Sequence, residues 1–100
     1  MSSRFDYLVA LQQLCGCSDA ISRLKAMVGA SNFIKGDNSI SFHFKMCRRA
    51  NSLRIDYDDV LDEYNMVFFR GSREVKRYEG VFFDSMKELF ERYTGLYLSL

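Results

Sequence analysis

The sequence predicts an α+β domain in which a five-stranded antiparallel meander sheet carries two N-terminal helices and one C-terminal helix on one face. Three observations lead there. From Ser39 to Met46, Ile40, Phe42, Phe44 and Met46 alternate with Ser41, His43 and Lys45, the period of two that a half-buried strand requires. Before Ser31, two apolar runs at helical spacing each end in a glycine. Between Ser31 and Val81, short β-prone segments follow one another with only turn-forming or charged links between them.

Taken in order, Ser3 is the expected N-cap of a helix over about Arg4 to Leu14, with Asp6 three residues on as a shorter relative of the capping-box glutamate. Phe5, Leu8, Val9, Gln12 and Cys15 fall on its apolar stripe, flanked by Leu11, and Gly16 stops it. Ser18 or Asp19 caps a second helix with Ile21, Leu24, Met27 and Val28 on one stripe, closed by Gly29. Ser31 to Ile34 forms a first strand, and Lys35-Gly36-Asp37-Asn38 supplies a tight hairpin connection into the Ser39 to Met46 strand. After a basic loop at Cys47 to Asn51, Leu53, Ile55 and Tyr57 alternate with Arg54 and Asp56 in a third strand. Asp58, Asp59 and Asp62 make the next link too acidic to bury.

Tyr64 to Arg70 has bulky groups on both faces, Tyr64, Met66 and Phe68 against Val67 and Phe69, which predicts a central strand. Gly71-Ser72 turns the chain into a fifth strand over about Glu74 to Val81. Ser85 and Glu88 form a capping box for the last helix, whose stripe is Met86, Leu89, Phe90 and Tyr93, and Gly95 ends it. The apolar tail from Leu96 to Leu100 lies against the sheet or serves as a final short strand.

One hundred residues without a linker, repeat or low-complexity segment predict a single domain over 1–100. With 48% hydrophobic residues and no proline the chain is too apolar for disorder. Fourteen basic against thirteen acidic residues leave a formal charge of +1, so binding to nucleic acid would have to come from local patches and not from a global field. No signal-peptide run and no stretch of roughly eighteen apolar residues is present, which predicts a cytoplasmic protein that does not enter a membrane. The odd count of cysteines, Cys15, Cys17 and Cys47, fits free thiols in a reducing compartment.

Several stretches carry a likeness that covers most of the chain. Ala26-Met27-Val28-Gly29-Ala30-Ser31-Asn32-Phe33, the strand with Ile40 and Phe42, Leu53-Arg54-Ile55-Asp56, Asp62-Glu63-Tyr64, Gly80-Val81-Phe82 and Phe90-Glu91-Arg92-Tyr93-Thr94-Gly95-Leu96 resemble a group of small hypothetical proteins carried by bacteriophages and other bacterial mobile elements. That resemblance assigns no catalytic residues. It implies a setting in which small non-enzymatic proteins occupy a surface of host or defence machinery, anti-CRISPR inhibitors among them.

Few constellations carry chemistry. Cys15, Cys17, His43 and Cys47 are zinc-type ligands, but His43 and Cys47 on one extended strand stand about 13 Å apart, too far to share an ion unless the chain bends. No partner for a Cys/His nucleophile pair is marked, and Asp56, Asp58, Asp59, Asp62 and Glu63 lack the spacing and internal glycine of a calcium loop. The expectation is therefore no cofactor, no metal and no enzyme.

Charge is more informative. Lys45, Arg48 and Arg49 cluster at one loop, and Arg70, Arg73, Lys76 and Arg77 surround the turn between strands four and five. In a meander, links two apart emerge at the same end, which gathers these seven residues on one rim and leaves Asp58, Asp59 and Asp62 at the other. The ordinary alternative is solubilising surface charge. The functional reading is a docking rim for a host or defence-system protein or for nucleic acid. Phe82, Phe83, Tyr93 and Tyr97 cannot all face one core, so some are expected at the surface; Tyr93, Tyr97 and the tail are candidates for a partner contact or for pairing two copies in a homodimer.

Overall fold

The computed structural model describes residues 6–45 and 47–98. Its elements are α1 (Tyr7–Cys15), α2 (Ala20–Val28), β1 (Ser31–Lys35), β2 (Ser39–His43), β3 (Ser52–Asp58), β4 (Glu63–Arg70), β5 (Arg73–Val81), a single 3-10 turn at Phe83–Ser85 and α3 (Met86–Thr94). The strands form one antiparallel sheet in the order β1-β2-β3-β4-β5, the expected meander.

Period two decides what each strand buries. Ile40 pairs with Ile55 and Ile55 with Met66, while Phe42 pairs with Leu53 and Leu53 with Phe68, so two cross-strand rows of large apolar groups run across the sheet. All six are buried, and with Phe44 they meet Leu11 and Leu14 of α1, Leu24 and Val28 of α2, and Met86 and Phe90 of α3 in one core. Aromatic contacts knit it: Phe44 meets Phe90 edge-on at 5.3 Å between ring centroids, and Phe68 lies 4.7 Å from Tyr93. The expected placement of all three helices on a single sheet face therefore holds.

Three local expectations need correction. The apolar stripe of α1 is Ala10, Leu11, Leu14 and Cys15, and Leu8 and Val9 are about 40% exposed. The segment from Leu8 to Leu11 is apolar on every side, so periodicity alone could not choose its inward face. Its N-cap is Asp6, whose carboxylate accepts the Leu8 N–H at 3.0 Å; Ser3, Arg4 and Phe5, like Met46 and the last two residues of the tail, lie outside the described residues. Ser85 makes no capping hydrogen bond, because the 3-10 turn leads the chain into α3 and Glu88 pairs with Arg92 one turn on. As expected, β4 is an interior strand, paired with β3 and β5. Its outer-face bulk is covered: Val67 is fully buried between its cross-strand neighbours Arg54 and Arg77, and the Arg54 guanidinium stacks over Phe69 at 5.4 Å.

The tail resolves one open alternative. Up to Leu98 it forms no strand and is pinned against the helices. The Leu98 N–H donates to the Glu91 carboxylate at 2.8 Å, and its side chain is buried in the core.

Candidate functional site

The loop between β2 and β3 and the turn between β4 and β5 meet at one end of the sheet. Asn51 joins them: its N–H donates to the Phe69 carbonyl at 2.8 Å, and its side-chain carbonyl accepts the Gly71 N–H at 3.0 Å. Arg70 completes the link by donating from Nη1 to the Arg48 carbonyl at 2.6 Å. Arg48, Arg70 and Arg73 are thereby collected at one exposed rim, and among the described residues none of them has a carboxylate partner. Lys45 lies beside them on the end of α2, where its N–H donates to the Val28 carbonyl and its stem covers Gly29.

The other three cations expected on the rim are engaged elsewhere. Arg49 donates to the Tyr93 carbonyl at 2.9 Å and sits over the Tyr93 ring at 5.7 Å, a cation at the negative end of α3. Lys76 lies 4.9 Å over the ring of Tyr78. Arg77 faces the open side of the sheet in register with Val67, held by Glu74 through two hydrogen bonds of 2.9 and 3.1 Å and by Glu79 at 3.7 Å. The Arg77 guanidinium keeps the Glu74 carboxyl below the usual carboxylate range.

Asp58, Asp59 and Asp62 occupy the opposite end. Two of them build the turn: Asp58 accepts the Val60 and Leu61 N–H groups at 3.0 and 3.1 Å, and Asp62, at a positive φ of 55°, accepts the Tyr57 hydroxyl. Glu63 follows, with Val60 and Leu61 fully displayed beside it, 86% and 64% exposed. Phe82 and Phe83 project near the same end, since Val81 pairs with Tyr64. Among the described residues, they and Tyr97 are the large exposed aromatics. Tyr93 is not one of them, being packed between Phe68 and Tyr78.

His43 is exposed at the end of β2, whereas Cys15 is buried beneath the helices. Among the described residues no group of three or more His, Cys, Asp or Glu side chains converges as a metal site would require. Likewise, no described helix is long and apolar enough to cross a membrane. No family model matches this chain, and no curated protein or solved structure is detectably similar to it.

Two concavities adjoin the end of β5, and sequence reasoning did not find either. A cleft of about 240 Å³ runs between β5 and α3, floored by Val81 and Leu89 and edged by Phe82 and Glu88. A shallower one, on the open sheet face, is lined by Asp58, Leu61, Glu63 and Asn65. They meet at Glu79 and Gly80, which line both. The sequence signal was weak: a glycine two residues from the end of a strand, the mark of a bulge.

Proposed function

We propose that the protein is a non-enzymatic binding protein of bacteriophage or mobile-element type, acting in the bacterial cytoplasm by occupying a surface of a host defence or nucleic-acid-processing protein. The observation that carries this reading is the rim: Arg48, Arg70 and Arg73 held together at one end by the Asn51 and Arg70 links, with no carboxylate partner among the described residues. Arginines held this way match an acidic protein surface, or a groove shaped for a nucleic-acid backbone, and inhibition of an anti-CRISPR kind would follow from filling such a groove. The test is affinity capture from bacterial cells and against purified nucleases, polymerases and CRISPR effectors. A partner bound at micromolar affinity or better, and lost on Arg48→Glu with Arg73→Glu, is the expected result. Failure of every such protein to bind overturns the reading.

The same three arginines favour direct binding to nucleic acid as the second reading. With three phosphate contacts, the binding constant would fall with a log–log salt slope of about −2.7. A gel shift at low salt with that slope selects this reading, and no shift at low salt removes it.

A further inference from the structure

We infer that the outer edge of β5 is a docking site for an extended, basic segment of another polypeptide, which adds to the sheet as a sixth strand and alternates apolar with lysine or arginine side chains. The inference concerns the Tyr78, Glu79, Gly80 and Val81 end of β5, opposite the arginine rim that Arg73 joins, and stands whether or not the rim binds anything.

It begins from the sheet order. β5 is the last strand, nine residues long, and its outer edge has no neighbouring strand among the described residues. Such an edge offers a row of backbone donors and acceptors, and proteins that leave one open use it to capture extended peptides. The two concavities adjoin the Glu79 and Gly80 end of β5 on opposite faces of the sheet. The one toward α3 has Val81 and Leu89 at its floor, Phe82 at its mouth and the Glu88–Arg92 ion pair on its α3 side; the one on the open face is acidic, with Asp58, Glu63 and Glu79.

Side chains of an added strand point alternately to the two faces. Every second residue at the Gly80 end would therefore enter the apolar cleft, and the intervening ones would reach Glu79 on β5 and Glu63, whose carboxylate lies beside Gly80; Asp58 on β3 stands two strands in. Charge complementarity sets the sign of those residues. The cations of β5, Arg73, Lys76 and Arg77, lie toward its other end; among the described residues no cation pairs with Glu63, and the contact of Glu79 with Arg77 is long, at 3.7 Å, and 68% exposed on the glutamate side. Phe82 adds an exposed aromatic anchor at the mouth of the cleft, the type of residue that dominates interface energetics.

The test uses the full chain and a fluorescein-labelled peptide, Lys-Val-Lys-Phe-Lys-Val-Lys with blocked ends, followed by fluorescence anisotropy at moderate salt. Saturable binding is expected. It should weaken by about tenfold or more on Glu79→Lys or Phe82→Asp, both surface changes, and on replacing the central peptide residue by proline, which removes a ladder donor. Arg48→Ala, outside β5, should leave it unchanged. Equal binding of the glutamate counterpart of the peptide, indifference to Glu79→Lys, indifference to the proline, or no binding at all would overturn the inference. So would sedimentation showing a dimer in the absence of peptide that Glu79→Lys dissociates, because the edge would then belong to a second copy of this chain.

Discussion

Cys15 ends α1 with its thiol turned into the core, where it donates weakly to the Ala20 carbonyl at 3.7 Å. Burial, with Cys17 beside it as a smaller cause, pushes the Cys15 thiol up to about 12. Cys17 and Cys47 are only half-buried. A thiol reagent at neutral pH should modify those two and reach Cys15 only on unfolding, a stoichiometry that mass spectrometry reads directly. The pH dependence has a definite sign. A thiol raised in the folded state keeps its proton there while the unfolded chain loses it, so stability falls as pH rises from about 9 toward about 12. Burial raises the Tyr64 phenol too, and its contribution has the same sign at higher pH. The excess slope of the urea midpoint in the wild type over Cys15→Ala isolates the thiol. Arg49 gives a second prediction at this scale. Its bonds are to the end of α3, so Arg49→Ala should cost about 1 kcal/mol of stability by denaturant unfolding, whereas Arg48→Ala should cost almost none.

At the scale of elements, the strands and the helix stops were legible, and the helix starts and the inward face of α1 were not. A strand with one buried face writes its pattern every second residue, and Ile40, Phe42, Leu53 and Ile55 kept that pattern into the core. In α1 the run Leu8, Val9, Ala10, Leu11 offers several equally apolar stripes, and only tertiary packing selects the one that includes Ala10 and Leu14. The glycine stops at Gly16 and Gly29 were readable because the left-handed conformation after a last helical turn favours that residue. Asp6→Ala removes the α1 cap and should destabilise by about 1 kcal/mol, whereas Ser85→Ala, which removes no capping bond, should be near neutral. Gly80 has φ of 65°, and its N–H donates to the Asn65 side chain at 3.2 Å across the bulge in β5. Gly80→Ala should cost about 1 kcal/mol in denaturant unfolding and weaken peptide capture at the β5 edge, since both concavities share this residue.

Over the whole molecule, the separation of charge was readable from topology alone, because a meander sends alternate links to opposite ends. Which cations remain available was not. The pairing of Arg77 with Glu74 and Glu79 depends on strand twist and on the register shift between Phe68 and Phe69, and that of Arg49 on a loop whose path no periodicity encodes. Nor could the sequence say which of its crowded aromatics would be exposed. Leu98 is the far end of the same core, and Leu98→Ala should lower stability by roughly 2 to 5 kcal/mol, the loss expected for a fully buried leucine.

With a formal charge of only +1 and unlike charges at its two ends, the protein resembles a bar magnet more than a charged sphere. Long-range repulsion between molecules is then weak near pH 7.7, while end-to-end attraction is strong when the Debye length is long. Solubility should rise as salt is added, and the second virial coefficient from light scattering should move from negative toward positive, the reverse of what a uniformly charged globule shows.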